Sequence, residues 1–120
     1  MNEAKQAELL PTMPEKDLTK LIKRLESQVA DLEASIADYE KSITVAGTLE
    51  RRAKILEWNP ATIFPRTPEQ EVADNRYYYG KTNQTRKAKL ITKTRRLSAA
   101  REEVGKRNRQ VIFGSRESLA

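Results

Sequence analysis

The sequence predicts an all-α, elongated fold in which a coiled-coil helix is followed by an extended joint, shorter helices and a partly extended tail. Three observations predict it. Along the first half of the chain, apolar residues recur at alternating steps of four and three, the heptad pattern of a coiled-coil helix. Two threonines, each closely followed by a proline and then by Glu or Gln, have the pattern of helix N-termini. The apolar fraction of 38% in 120 residues allows one modest core.

Residues 1–13 are expected to form an N-terminal tail, and residues 14–58 the coiled-coil helix. Thr12 and Glu15 are spaced as a capping box, with Pro14 in the first turn. Isoleucine and valine at one core position with leucine at the other favour a parallel two-stranded coil, so a homodimer is one hypothesis. The apolar seam that would pair with another helix consists of Leu18, Ile22, Leu25, Val29, Leu32, Ile36, Tyr39 and Ile43.

An acidic stripe flanks this seam. Glu26, Glu33 and Glu40 lie on one side of it and uncharged residues lie on the other, so a parallel homodimer would form no ion pairs between these flanks. The stripe favours a basic helix as neighbour, from the same chain or from another. The candidates lie along one edge of the basic helix that is expected within residues 68–110, and they are Arg86, Lys93 and Arg107. The alternative is that the glutamates form a solvated face.

The first helix is expected to bend near Gly47, because β-branched residues and glycine there lower helix propensity. It must end by Trp58 or Asn59, since Pro60 disfavours helical geometry in the residue before it. Residues 59–67 would form an extended joint that carries large apolar side chains. The joint is expected either to fold onto the chain's own helix ends or to anchor in a groove of a partner.

Residues 68–110 are expected to hold a short helix and a longer basic helix. Thr67 and Gln70 form a second capping-box pattern, with Pro68 at the first helical position. Gly80 would end the short helix. The basic helix after it is expected to bury one edge only, because its apolar residues form a single narrow line.

Residues 111–120 would form a tail that is first apolar and then polar. The apolar residues at its start have strand-like character and favour an extended conformation. Phe113 in this tail is a candidate anchor for a partner.

Charge divides the chain into two halves. The net charge is +6, but residues 1–57 carry 9 basic and 11 acidic side chains, whereas residues 58–120 carry 14 and 6. The basic half would attract an anionic surface until salt screens it. The residues expected to bind an anionic partner are Arg86, Lys87, Lys89, Lys93, Arg95, Arg96, Arg101, Lys106, Arg107 and Arg109.

Aromatic side chains are the second expected means of partner binding, because aromatic residues and arginine dominate the hot spots of protein interfaces. Three consecutive tyrosines on a helix point in different directions, so at most two share a face. They are interpreted as one core tyrosine with two amphipathic neighbours, and alternatively as a stacking platform for nucleic acid. The candidate anchors are Trp58, Phe64, Tyr77, Tyr78, Tyr79 and Phe113.

The composition excludes most familiar catalytic chemistry. The chain has no cysteine and no histidine, which excludes disulfides, thiol nucleophiles, Cys/His zinc sites and imidazole bases. Gly80, Lys81 and Thr82 match only the end of a phosphate-binding loop, since Asn75 stands where the first glycine of that loop belongs. We therefore expect no enzyme, no catalytic residue, no cofactor, no metal ion and no small-molecule substrate.

The sequence thus predicts a non-enzymatic structural or assembly subunit that pairs through the seam and holds an acidic protein surface with its basic half and aromatic anchors. The expected partners are proteins of a larger assembly, with further copies of this chain as one option. The alternative is a nucleic-acid-associated coiled-coil protein that binds phosphates without reading sequence. No run reaches the ~18 to 20 apolar residues of a membrane span, so we expect a soluble, intracellular protein of the cytoplasm or nucleus, or a virion component.

Overall fold

The described part of the chain is all-α, which confirms the predicted fold class. The computed structural model describes residues 8–119, and the side chains of residues 8–110. A short 3-10 helix, Leu10–Thr12, precedes three α-helices: α1 (Glu15–Ser42), α2 (Val45–Trp58) and α3 (Pro68–Leu119). No β-strand occurs between residues 8 and 119.

The start of α1 differs from the predicted capping box. Thr12 belongs to the 3-10 helix, and its hydroxyl donates to the carbonyl oxygen of Leu9 at 3.1 Å. The helix begins at Glu15, and the carbonyl oxygen of Pro14 accepts its first hydrogen bond, from the amide of Leu18, at 2.9 Å. The prediction was wrong here because α1 begins three residues after Thr12, so the threonine hydroxyl lies in the 3-10 helix and binds Leu9 instead of an amide of α1.

The predicted single helix over 14–58 is two helices, because the expected bend is a complete break. Thr44 has an extended backbone and caps α2: its hydroxyl oxygen accepts from the amide of Gly47 at 3.0 Å. A Cβ atom on Gly47 would lie 2.1 Å from the carbonyl oxygen of Lys41. The glycine therefore allows the first turn of α2 to approach the end of α1, which a side chain would prevent.

The end of α2 and the start of α3 confirm two predictions. The second helix ends at Trp58, and the amide of Asn59 donates to the carbonyl oxygen of Ile55 at 2.8 Å. At the next helix, the hydroxyl of Thr67 accepts from the amide of Gln70 at 3.1 Å, and the side chain of Gln70 accepts from the amide of Thr67 at 3.0 Å. This reciprocal pair is a capping box, and it fixes the start of α3 at Pro68.

The predicted break at Gly80 does not occur, and α3 continues through it to Leu119. Gly80 has no positive φ, so it does not terminate the helix. A glycine within a helix costs only about 1 kcal/mol relative to alanine, and tertiary packing outweighs that. The expected extended tail over 111–120 was also wrong as far as Leu119, because the backbone remains helical there.

The chain divides into two compact units. The terminal unit comprises Met1–Ala30 and Leu90–Ala120, and the central unit comprises Asp31–Lys89. In the terminal unit, the first half of α1 and the second half of α3 form one apolar cluster. Its buried members are Leu10, Leu18, Leu21, Leu25, Leu97 and Ala100.

In the central unit, the last turns of α1 lie against the start of α3. The side-chain amide of Asn75 donates to the carbonyl oxygen of Ser42 at 3.0 Å, and Arg76 donates to that of Ile43 at 3.3 Å. These two bonds satisfy carbonyl groups that the end of a helix leaves without an intrahelical partner. Thr48 of α2 and Ile36 of α1 are buried in this unit.

Candidate partner-binding surfaces

The seam packs within the chain. In the terminal unit, Leu18 and Leu25 are each only 2% exposed, and Ile22 and Val29 pack on the same cluster. In the central unit, Ile36 is buried, and the other seam residues, Leu32, Tyr39 and Ile43, are half-buried. In the terminal unit, α3 supplies the apolar partner residues, including Leu97 and Ala100. The sequence had left open whether the same chain supplies the neighbouring helix, and here it does.

The acidic stripe beside the seam also meets basic residues of α3. In the terminal unit, Arg101 donates to Glu26 at 3.3 Å, and in the central unit Lys87 lies 3.9 Å from the carboxylate of Glu40. The predicted pairing of acidic stripe and basic helix is therefore present at these two positions, through Arg101 and Lys87, which were not among the three basic residues proposed. Both pairs are about half exposed, so each contributes at most about 1 kcal/mol.

Arg107 has a structural role in the terminal unit. It donates to the carbonyl oxygens of Leu10 and Met13 at 3.0 and 2.6 Å, and to the carboxylate of Glu103 at 3.0 Å. Its side chain is only 26% exposed. The Nε atom and one terminal nitrogen of the guanidinium are engaged in this way, so we assign Arg107 a structural role, and its role in anion binding stays a prediction.

The other predicted anion-binding residues fall into two groups. Lys87 and Arg101 form the ion pairs given above, and Lys93 and Arg96 also have interactions within the chain. The second group consists of cations with no carboxylate at ion-pair distance among the residues whose side chains are described. Its members are Arg86, Lys89, Arg95, Lys106 and Arg109.

The predicted aromatic anchors differ in exposure. Trp58 at the end of α2 is 94% exposed, and Tyr77 on α3 is 82% exposed. Phe64 is half-buried, with the guanidinium carbon of Arg52 at 4.7 Å from its ring centroid, so it holds the joint onto α2. The side chain of Phe113 lies outside the described side chains.

The three tyrosines do not include a core residue, so that interpretation was wrong. Tyr77, Tyr78 and Tyr79 are all exposed by more than half. The rings of Tyr77 and Tyr78 meet edge to face, with centroids 5.0 Å apart and planes at 89°. This edge-to-face arrangement is a favourable geometry for an aromatic pair, and here it lies on a solvent-facing part of α3.

A polar network around Arg52 ties the joint to α2 and α3, and no pattern in the sequence indicates it. Arg52 donates to the carboxylate of Glu71 at 2.7 Å and to the carbonyl oxygen of Arg66 at 2.8 Å. Arg51 forms a second ion pair with Glu71, and Arg66 forms one with Asp74. The joint is thereby fixed to its own helices at several points, while Ile63 within it remains exposed.

One face of α2 is apolar and open to solvent. Val45, Leu49 and Leu56 are spaced by four and seven residues, which places them on one side of the helix, and each is more than a third exposed. The heptad frame shifts at Leu49 in the sequence, which indicates that α2 does not continue the seam of α1.

A cavity of about 600 Å³ lies within the central unit. Its walls come from the last turns of α1, the first turns of α2 and the first half of α3. Of the predicted binding residues, it brings together Tyr39, Tyr79 and Arg86. No protein family, curated protein or solved structure matches this chain.

The described helices provide neither a membrane span nor a phosphate-binding loop. Among the described residues, none of the helices has the combined length and apolar character that crossing a lipid bilayer requires. The tripeptide Gly80, Lys81, Thr82 lies inside α3, so its backbone amides are engaged in the helix and form no loop around a phosphate group.

Proposed function

We propose that this chain is a non-enzymatic assembly subunit that holds an acidic partner protein with exposed aromatic and apolar side chains and with the basic residues of α3. In this proposal, the seam pairs α1 with α3 inside the chain and thereby forms a scaffold. The partner then binds to what this scaffold presents on its surface.

The observation that carries the proposal is the number of exposed large apolar side chains in the central unit. Apolar patches of this kind on a soluble domain are typical of interaction sites, because exposing them to water is unfavourable. Trp and Tyr in particular combine a large contact area with a polar tip, which suits them to interfaces. The residues exposed by at least about a third are Val45, Leu49, Ile55, Leu56, Trp58, Ile63, Tyr77, Tyr78 and Tyr79.

The charge of α3 supports an acidic partner. Lys89, Arg95, Lys106 and Arg109 are exposed, and no carboxylate lies at ion-pair distance from them among the described side chains. Such cations attract a negatively charged surface and accelerate its association, an effect that falls as salt rises.

The test is purification of the tagged full-length chain from its native source after cross-linking, followed by identification of proteins present in fixed stoichiometry. We expect a protein with an acidic surface whose association survives nuclease and weakens as salt is raised. The double substitution Trp58→Ser with Tyr77→Ser should remove that protein from the purified complex. The matched control is Leu9→Ser with Ile91→Ser, two exposed apolar residues of the terminal unit, and it should retain the complex.

Two results would contradict the proposal: no protein in fixed stoichiometry, or an equal loss in the control variant. Neither variant removes a buried side chain, so the helical circular dichroism of both should equal that of the unmodified chain.

The second candidate function is association with nucleic acid. It is favoured by the exposed ring pair of Tyr77 and Tyr78, which lies one turn before Lys81 on α3. Bases stack on aromatic rings while cations neutralise the phosphates of single-stranded nucleic acid. Fluorescence anisotropy with a labelled single-stranded oligonucleotide separates the two functions. A micromolar affinity that Tyr77→Ser weakens would favour nucleic acid. The logarithm of the association constant should then fall linearly with the logarithm of the salt concentration.

A further inference from the structure

The cavity of the central unit has the size of a binding site. Its volume of about 600 Å³ is within the range of sites that take a drug-sized molecule or a few peptide side chains. All the residues around it belong to the central unit, and they come from all three helices. The close approach of α1 and α2 that Gly47 permits forms part of its wall.

The wall carries an excess of positive charge. Lys41, Arg51, Lys54 and Arg86 face two carboxylates, Asp38 and Glu50. Arg51 is paired with Glu71, which does not line the cavity, and Lys54 lies 3.6 Å from Glu50.

Two cations of the wall remain available to a ligand. Neither Lys41 nor Arg86 has a carboxylate at ion-pair distance among the described side chains. Arg86 is half-buried, so a charge there is screened less than at an exposed position. A planar guanidinium in such a place is suited to a two-point hydrogen bond with a carboxylate.

The rest of the wall is suited to a peptide. The rings of Tyr39 and Tyr79 provide apolar contact area together with hydroxyl groups. Tyrosine and arginine are the residue types that dominate protein interfaces, whereas a small-molecule site is expected to be lined mainly by apolar side chains.

The charge left over in the wall matches a single carboxylate. Apart from the pairs Arg51–Glu71 and Lys54–Glu50, the wall holds Lys41, Arg86 and Asp38, a net charge of +1 that one carboxylate neutralises and that a phosphate group, with close to two negative charges, exceeds. A glutamate or aspartate side chain brings a single charge, which Arg86 can neutralise through two parallel hydrogen bonds.

We infer that the cavity between α1, α2 and α3 of the central unit binds a carboxylate-bearing segment of a partner protein, with Arg86 and Lys41 as the anion-binding residues. This inference rests on the proposed function, because it specifies where the acidic partner places a side chain. It separates these two cations of the cavity wall from the cations of the terminal unit that lie outside the cavity, which attract the partner without selecting a particular group.

The test uses the full-length chain and a short fluorescent peptide in which glutamates alternate with serines. We expect saturable binding, measured by anisotropy, that weakens about tenfold in the double variant Lys41→Gln with Arg86→Gln. The matched control is Lys106→Gln with Arg109→Gln, which removes the same charge from exposed positions of the terminal unit. It should weaken binding less than about twofold, because Lys106 and Arg109 lie outside the cavity and act only through screened long-range attraction.

A third variant keeps the inference open to refutation should the double variant be unfolded. Asp38→Asn removes one carboxylate from the wall, and it should tighten binding of the glutamate peptide about threefold, since less negative charge then opposes the ligand. Unchanged or weaker binding by a folded Asp38→Asn chain would overturn the inference.

Three other results would also overturn it: equal loss in the two double variants, tighter binding of a peptide with phosphoserine in place of glutamate, or equal binding of a peptide with glutamine. Its failure is distinct from failure of the proposed function. A native complex that persists in Lys41→Gln with Arg86→Gln refutes the cavity alone, whereas peptide binding without any native complex refutes the assembly function alone.

Discussion

Arg107 donates a hydrogen bond of 2.6 Å to the carbonyl oxygen of Met13, a residue 94 positions earlier in the chain. The same guanidinium reaches the carbonyl oxygen of Leu10, so one side chain of α3 binds the first residue of the 3-10 helix and the residue that follows its end. The carbonyl oxygen of Leu10 also accepts from the amide of Met13 at 3.2 Å, so the cation adds a second, charged donor there and supplies a charged donor to the carbonyl oxygen of Met13. The start of α1 is thereby fixed to α3 in the terminal unit.

Replacing Arg107 by alanine should lower the free energy of unfolding by about 1 to 3 kcal/mol, because two carbonyl groups and the carboxylate of Glu103 lose a charged donor. Arg109→Ala is the control, since Arg109 is exposed. It should change that free energy by less than about 0.5 kcal/mol. Urea unfolding followed by circular dichroism measures both, and equal effects would contradict the role assigned to Arg107.

Gly47 and Gly80 should respond oppositely to alanine. At Gly47 the added Cβ would lie 2.1 Å from the carbonyl oxygen of Lys41, so Gly47→Ala must displace the start of α2, at a cost of about 1 to 3 kcal/mol. At Gly80 the nearest atom is the hydroxyl oxygen of Tyr39 at 3.5 Å, an ordinary contact. Gly80→Ala should therefore raise the free energy of unfolding by up to about 1 kcal/mol through helix propensity. Thermal unfolding of the two variants measures the difference, and a stabilising Gly47→Ala would show that the helices are not so close.

The two threonines that resemble helix caps in the sequence should differ in importance. Thr67→Ala removes the acceptor for the amide of Gln70 and should cost about 0.5 to 2 kcal/mol. Thr12→Ala removes only a local hydrogen bond to the carbonyl oxygen of Leu9, so its effect should be smaller. Denaturant unfolding of both variants decides this, and a larger loss for Thr12→Ala would indicate that the sequence pattern at α1 was the better guide.

Leu25 lies in the core and Leu49 lies on the surface, so replacing each by alanine should have a different effect. Leu25 is 2% exposed within the terminal cluster, so Leu25→Ala should cost about 2 to 5 kcal/mol. Leu49 is 52% exposed on the apolar face of α2, and Leu49→Ala should cost less than about 1 kcal/mol while weakening the native complex of the proposed function. Melting temperatures and complex yield are the two measurements. If Leu49→Ala strongly destabilised the isolated chain, α2 would be covered by the chain itself.

The sequence predicted the helices and helix ends that depend on residues close to one another in the chain. The apolar repeat predicts α1 and its buried side, the pair Thr67 and Gln70 predicts the start of α3, and Pro60 predicts the end of α2. Each depends on residues within a few positions of one another. For that reason a single sequence is sufficient to infer them.

The remaining features depend on contacts between distant residues. In the sequence, Gly80 indicates a helix end, because glycine is common at that position. Packing along α3 outweighs the modest free-energy cost of a glycine within the helix. In the sequence, nothing distinguishes Arg107 from the other basic residues. Its structural role is evident only from its contact with the carbonyl oxygen of Met13 in the folded chain. The cavity also needs three helices in place, so its cations Lys41 and Arg86 carry no sequence signal that distinguishes them from other basic residues.

The central claim is that the seam of α1 is covered by α3 of the same chain, which leaves the exposed side chains for a partner. Glu40 and Lys87 provide a direct measurement, because a zero-length carbodiimide reagent converts an ion pair at 3.9 Å into an amide bond. Isotopically light and heavy chains are mixed, refolded together, cross-linked and digested. The Glu40–Lys87 peptide is then analysed by mass spectrometry. We predict only all-light and all-heavy cross-linked peptides. Mixed peptides would show that the helices pair between chains, and would contradict the account.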